Sequence, residues 1–169
     1  MATAAPALCV VPYEVPAWGT GELVYAHGVL IDHTMPRLRR VVRPVGPPLP
    51  EALELAARLR AYLGGARDTF LDVDLRPTLE QLGTTPFESA VVEEMRRVPY
   101  GETVSYGELA ERAGRLRAAR AAGNVCARGT LEVIVPYHRV IASDGSIGSY
   151  GADGLPRKRR LLALEGVHL

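Results

Sequence analysis

Short apolar runs at residues 8–11, 23–26, 29–31 and 41–42, alternating with Gly and Pro, set the pattern of the first quarter of the chain. Runs of that length between turn formers suit strands, and they predict a small antiparallel sheet. Pro47-Pro48-Leu49-Pro50 breaks this pattern, and the period then changes. Leu53, Ala56, Ala57, Leu59, Arg60 and Leu63 recur near helical spacing, predicting a helix over 51–63 that Gly64-Gly65 ends. Apolar and acidic residues alternate over 70–75 and predict one further strand, in which Asp72 and Asp74 lack a third ligand and read as a wet face. The stretch at 77–85 reads as a linker, dividing an N-terminal domain, 1–76, from a C-terminal one, 86–169.

The second part opens with stronger local signals. Thr85 can cap, Pro86 fits the first helical position and Glu88 completes a capping box. Phe87, Val91, Met95 and Val98 then recur on one face, so this helix packs inward. Ser105 and Glu108 form a second capping box, starting a short helix over 106–113 that Gly114 closes. A third helix, from 116 or 117 to 128, carries Ala118, Ala119, Ala121, Ala122 and Gly123 beside Arg117, Arg120 and Arg128. Two short helices joined by a Gly-containing turn predict a helix-turn-helix, and small residues studded with arginine let the second helix approach a DNA groove closely. A strand over 131–135, a Gly/Ser loop over 142–154 and a last helix from Pro156 with Leu161, Leu162 and Leu164 inward complete the expectation.

Charge changes this picture more than composition does. The formal net charge is +1, yet residues 112–160 hold ten basic residues against three acids, a net of +7, while residues 1–86 hold eight bases and nine acids. Nineteen of the twenty basic residues are Arg, but the front half shares that usage without the excess, so a polyanion partner is expected for the C-terminal part. Two cysteines, Cys9 and Cys126, are too few and too far apart for a disulfide framework, and they imply a reduced, intracellular setting. Residues 1–12 lack a targeting pattern and no run approaches a membrane span, so a cytoplasmic, nucleoid-associated, monomeric protein without membrane contact is expected. Cys9, His27 and His33 do not reproduce a full ligand set, so neither a metal nor another cofactor is expected.

The candidate chemistry centres on Val135-Pro136-Tyr137-His138-Arg139-Val140-Ile141, where one of only four histidines stands between apolar runs. Together with "TPFESAVVEEMRRVPYGETVSYGELAERAG", "RAARAAGNV", "VPYHRVIASDGSIGSYGADG" and "KRRLLALEGV", taken in order over residues 86–167, it resembles the O6-alkylguanine-DNA alkyltransferase family. That resemblance implies an α/β (α+β) fold: an N-terminal ribonuclease-H-like domain with a small antiparallel sheet and a helix, then a winged helix-turn-helix alkyltransferase domain. It implies a partner, double-stranded DNA containing alkylated guanine, whose damaged base is flipped out of the stack at a cost of a few kcal/mol. Arg120 is then the finger that fills the vacated space, and Tyr106 crowds the phosphate of the turned-out nucleotide. The wider lesion-binding set is Arg117, Gly123, Arg128, Arg139, Val140, Ser143, Tyr150 and Gly151. His138 and Glu165 correspond to two members of a Cys-His-Glu relay, in which Glu orients His and His draws the thiol proton through water.

The third member is replaced, because Tyr137 stands where the family has its acceptor Cys. A phenol with a pKa near 10 is ionised only to a fraction of a per cent at neutral pH, whereas a thiol near 8.5 is easily pulled lower. Gly129-Thr130 replaces the family's Asn-Pro, and Gly151 stands where Ser is frequent. This combination is similar to the alkyltransferase-like proteins, which lack the acceptor Cys, hold the lesion and recruit nucleotide excision repair proteins. The leading expectation is therefore a non-catalytic lesion-binding protein. Two others stay open: an alkyltransferase using Tyr137 or Cys126 as acceptor, and a plain helix-turn-helix DNA-binding module.

Overall fold

The computed structural model describes residues 6–148 and 154–169, which fall into two compact units. One comprises residues up to 68 together with 74–82; the other comprises 69–73 with 83–169. The last crossing, between 82 and 83, falls inside the stretch expected as a linker at 77–85. The chain crosses between units more than once, and the supposed linker contains a helix, Arg76–Gln81, whose Thr78 and Leu79 are buried.

In the first unit β1 (Leu8–Val15), β2 (Gly19–Ala26) and β3 (Val29–Arg37) form an antiparallel sheet in the order β1-β2-β3. β1 outlasts its apolar run because Pro12 and Glu14 sit on the open face of the pleat while Cys9, Val11, Tyr13 and Val15 face inward. The strand expected at 41–42 does not form. Arg39 has φ 62° and Val41 is 88% exposed, so only Val45 bridges back, to Val10. Helix α1 (Pro50–Leu63) buries Ala52, Leu55, Ala56, Leu59, Tyr62 and Leu63. The expected face was rotated: Leu53 and Arg60 point to solvent. Trp18 Nε1–H donates to the Leu63 carbonyl, and the Tyr13 hydroxyl meets His33 Nε2, so His33 is committed to the core beneath the sheet. Among the described residues no group of three His, Cys, Asp or Glu side chains is placed to hold a metal. The helix at Arg76–Gln81 is α2.

The second unit starts from α3 (Pro86–Arg96), whose capping box is complete: Thr85 Oγ1 accepts from the Glu88 amide and Glu88 accepts from the Thr85 amide. Val91, Met95 and Val98 are buried as the spacing requires, and Phe87 lies half-buried under the Arg115 guanidinium. The strand expected at 70–75 is instead a turn, because Phe70 adopts φ 53° and Arg96 captures the Phe70 and Val73 carbonyls, both at 2.7 Å. β4 (Val104–Ser105) leads into α4 (Tyr106–Arg112), and the second capping box is only half made. Ser105 accepts from the Glu108 amide, while the Glu108 carboxylate turns to Arg112. α5 (Ala119–Ala127) packs on α4, its start delayed to 119 by Arg117 at φ 59°. Leu131, Val133, Ile134 and Val135 are buried but form no strand: Val133 has φ 75° and the Val135 amide bonds back to the Leu131 carbonyl. A 3₁₀ turn (Tyr137–Arg139), β5 (Val140–Ile141) and α6 (Gly154–Leu164) follow.

Replacing Arg96 by Met should remove both charged hydrogen bonds to the 70–73 turn. Each bond of this kind contributes roughly 1.5–3 kcal/mol, so urea denaturation should show a loss of about 3 kcal/mol or more. Amide exchange in 69–73 should quicken.

Candidate functional site

Two residues of parallel pairing bring the site together. Val104 pairs with Val140 and Ser105 with Ile141, so the start of α4 lies beside the end of the 3₁₀ turn, bringing Tyr106 near Tyr137. α5 closes the remaining side. Its residues 119, 123 and 126, and 120, 124 and 127, recur at helical spacing and bound a cavity of about 500 Å³ with Tyr106, Gly129, Glu132 and Tyr137. Small residues make this approach possible: a Cβ at Gly123 would already touch the Tyr106 ring at 3.8 Å.

Beneath the cavity lies a fully internal charge cluster. His138 Nε2–H donates to Glu165 Oε1 at 2.8 Å, Arg139 donates to both Glu165 oxygens, and the Gly101 amide donates to Oε2. The remaining Arg139 nitrogen, Nη1, reaches the Val98 carbonyl at 2.7 Å. Burial works to raise the Glu165 carboxyl, but the hydrogen bonds from His138 and Arg139 and the Arg139 charge outweigh it and hold its pKa well below the usual carboxylate range. Burial lowers the His138 pKa, the Arg139 and Lys158 charges push the same way, and Glu165 opposes them. The histidine is therefore neutral with its proton on Nε2, leaving the lone pair on Nδ1.

Lys158, the only lysine in the chain, is wholly buried and donates to the Val140 carbonyl; burial brings its pKa down to about 8. Its charge acts on Cys126, whose thiol burial pushes up to about 12. The Tyr137 hydroxyl is raised further, by burial first and then by Cys126 and Glu132, with the Thr130 amide opposing. Tyr106 is raised too, by burial and by Cys126.

Tyr106, Arg120, Gly123 and Tyr137 are brought together, and His138 and Glu165 lie behind them. Arg139 is corrected: it is 4% exposed and clamps Glu165, so it reaches no DNA. The Val140 side chain is likewise interior, its carbonyl taken by Lys158. Arg128 is exposed but pairs with Glu88 and the Asn124 carbonyl, Arg117 lies outside the cavity wall, and Ser143 sits on an exposed turn. Tyr150 and Gly151 lie outside the described residues. Sequence reasoning missed Lys158 near Cys126 and Glu132 in the cavity wall, and it kept Cys126 only as an alternative acceptor. One lysine among nineteen arginines was the available signal for the first.

The family description "6-O-methylguanine DNA methyltransferase, DNA binding domain" matches residues 86–167. A methylated-DNA–protein-cysteine methyltransferase of Methanosarcina acetivorans is 41% identical over 113 residues, which are 67% of this chain and 68% of that protein. The chain belongs to the 6-O-methylguanine DNA methyltransferase family. The Mycobacterium tuberculosis protein of the same name is 43% identical over 108 residues, 64% of this chain and 61% of its own length. A solved structure, that of Mycobacterium tuberculosis OGT in complex with DNA, superposes with a TM-score of 0.69 at 34% identity, covering 93% of this chain and 92% of that one. These relatives overturn the expectation of a non-enzyme. Proteins about 41% identical to this chain are named methyltransferases, which points to an enzyme despite Tyr137.

The buried cluster sets an acid limit. Unfolded, His138 and Glu165 bind protons near their ordinary values of about 6.5 and 4.5; folded, both pKa values are lower. The unfolded state then holds more protons, so stability falls as pH drops below about 6.5 and falls further below about 4.5. Glu165→Gln should cost about 3–5 kcal/mol by leaving Arg139 buried without its counter-charge. It should also flatten the lower limb of stability against pH, as read by urea denaturation between pH 4 and 8.

Proposed function

We propose that the chain repairs O6-alkylguanine in duplex DNA by taking the alkyl group onto itself, once per molecule, with Cys126 as the acceptor. One observation carries this reading: the thiol-bearing residue, rather than lying in the core, forms part of the cavity wall that also holds Tyr106, Arg120 and Tyr137. The +7 excess over 112–160 and the family's DNA-bound structure support duplex DNA as the partner. Arg120 enters the stack in place of the flipped nucleotide, guanidinium being able to stack and to hydrogen-bond the orphaned base. Tyr106 presses on the phosphate of the nucleotide that has turned out.

The transfer balances without a further reactant. The sulfur of Cys126 attacks the alkyl carbon, the carbon–O6 bond breaks with its electrons going to the purine, and the proton lost by the thiol ends on the restored guanine. Sulfur is favoured over the Tyr137 oxygen on two grounds: its pKa is the lower of the two, and a thiolate is the better nucleophile toward carbon. The Lys158 cation is the neighbour that stabilises the thiolate. With a pKa about 12, roughly one thiol in 10⁵ is ionised at pH 7, so transfer is slow near neutrality. It rises about tenfold per pH unit until Lys158 begins to lose its charge near pH 8.

Incubation with a duplex bearing one O6-methylguanine should add the mass of one methyl to the intact protein, and peptide mapping should place it on Cys126. Cys126→Ser should abolish the gain, whereas a methyl on Tyr137 would assign the phenol as acceptor. A protein whose mass is unchanged while the lesion persists would sink the transfer reading.

DNA affinity should fall steeply with salt. Arg120→Ala should weaken binding of the lesion duplex more than that of its unmodified twin, while making the salt dependence shallower by no more than about one phosphate contact. Equal losses on the two duplexes, in a titration from low to moderate salt, would reduce Arg120 to a plain phosphate contact.

A further inference from the structure

We infer that Gly129 is a positioning residue for Tyr137, keeping the tyrosine ring out of the cavity so that a base can enter. A Cβ placed on Gly129 would lie 2.1 Å from Cζ, 2.3 Å from Cε1 and 2.6 Å from Cε2 of that ring. The ring therefore occupies the volume in which any side chain at 129 would begin. Gly129 needs no left-handed backbone, so alanine could adopt its conformation, and the ring is what forbids a side chain there.

Neither backbone can yield cheaply. The Gly129 amide bonds the Cys126 carbonyl at the end of α5. Tyr137 opens a 3₁₀ turn whose next two residues are clamped by Glu165, and its own amide bonds the Val135 carbonyl. A side chain at 129 would thus be met by rotation of the ring, and the open volume beside the ring is the cavity that Tyr137 shares with Cys126 and Arg120. Gly129-Thr130 in place of Asn-Pro and Tyr137 in place of Cys are, on this geometry, one coupled change. The larger ring at 137 lies in space left by the missing side chain at 129, with the Thr130 amide at its hydroxyl.

The steric pairing stands independently of alkyl transfer; only its bearing on base entry rests on the function proposed above. The test is a cycle of Gly129→Ala, Tyr137→Ala and the double variant, with two readouts made without DNA. The first is the rate at which a small thiol reagent modifies Cys126, with Cys9 buried in the other unit. Gly129→Ala should slow that rate by about tenfold, and adding Tyr137→Ala should restore it, an effect that plain destabilisation would reverse in sign, because loosening exposes thiols. The second is the thermal midpoint, which Gly129→Ala should lower by at least about 4 °C with Tyr137 present and by far less without the ring. Should Gly129→Ala fail to fold while the double variant folds, the pairing is supported. Equal effects of Gly129→Ala in both backgrounds, or a faster-reacting Cys126, would overturn it. The affinity ratio between lesion and unmodified duplex, measured on the same four proteins, should follow the thiol rate. A ratio that stays flat while the thiol rate moves would count against the function and leave the pairing standing.

Discussion

A carboxylate can be buried beside a guanidinium only where most of its lone pairs are used, and Glu165 meets that condition with four partner groups around two oxygens. His138, Arg139 through two of its nitrogens, and the Gly101 amide all converge on it. These groups come from the turn after α3, the 3₁₀ turn and the end of α6, while Arg139 also holds the Val98 carbonyl and Tyr100 the Leu164 carbonyl. The path of the chain on either side of Tyr137 is therefore dictated by one ionised side chain that contributes nothing to the cavity wall. Such a cluster is weak support for stability in itself, because the desolvation cost is large, but it fixes geometry strongly.

The same accounting changes the meaning of the basic excess. Arg112, Arg128, Arg139 and Arg157 are paired with Glu108, Glu88, Glu165 and Glu132, and three of those acids lie outside the 112–160 window. Lys158 is buried and Arg115 lies over Phe87. The field presented to DNA is consequently narrower than a segmental count of +7 suggests, and Arg120 is the arginine that borders the cavity. Steering by the whole segment and discrimination by one arginine are separable contributions.

Local chemistry was the part of the fold most legible in the sequence. The Thr85 cap, the inward face of α3 and the two helices of the helix-turn-helix follow from spacing alone. Where the sequence misled, a long-range or positive-φ feature intervened. Phe70 and Val133 adopt left-handed backbone that no propensity announces, Arg96 turns an apparent strand into a captured turn, and Leu53 faces solvent while Ala52 and Leu55 take the buried face of α1. At the site, residue types identified by motif were brought together, but Arg139 was counted in the lesion-binding set because the carboxylate it serves lies 26 positions away. The contact between residues 129 and 137 showed in the sequence only as two separate departures, Gly129 and Tyr137, because nothing local links a missing side chain to a ring eight positions on.

Shifting the sulfur from position 137 to position 126 changes which groups can assist it. At 137 an acceptor would adjoin His138 directly and share the support of Glu165; at 126 it sits on α5, where the ionised neighbour acting on it is Lys158. On the proposed reading the His138–Glu165 pair therefore ceases to be a proton relay and becomes scaffold. The thiolate is then stabilised by a cation that is itself only partly charged above about pH 8. A relay tuned to neutral pH has been exchanged for a thiol that burial keeps protonated, and the expected result is a slow acceptor in a well-formed cavity. Rate and lesion recognition then separate physically. The first depends on the electrostatics of Cys126 and Lys158; the second depends on Arg120, Tyr106 and the space that Gly129 leaves for the ring of Tyr137.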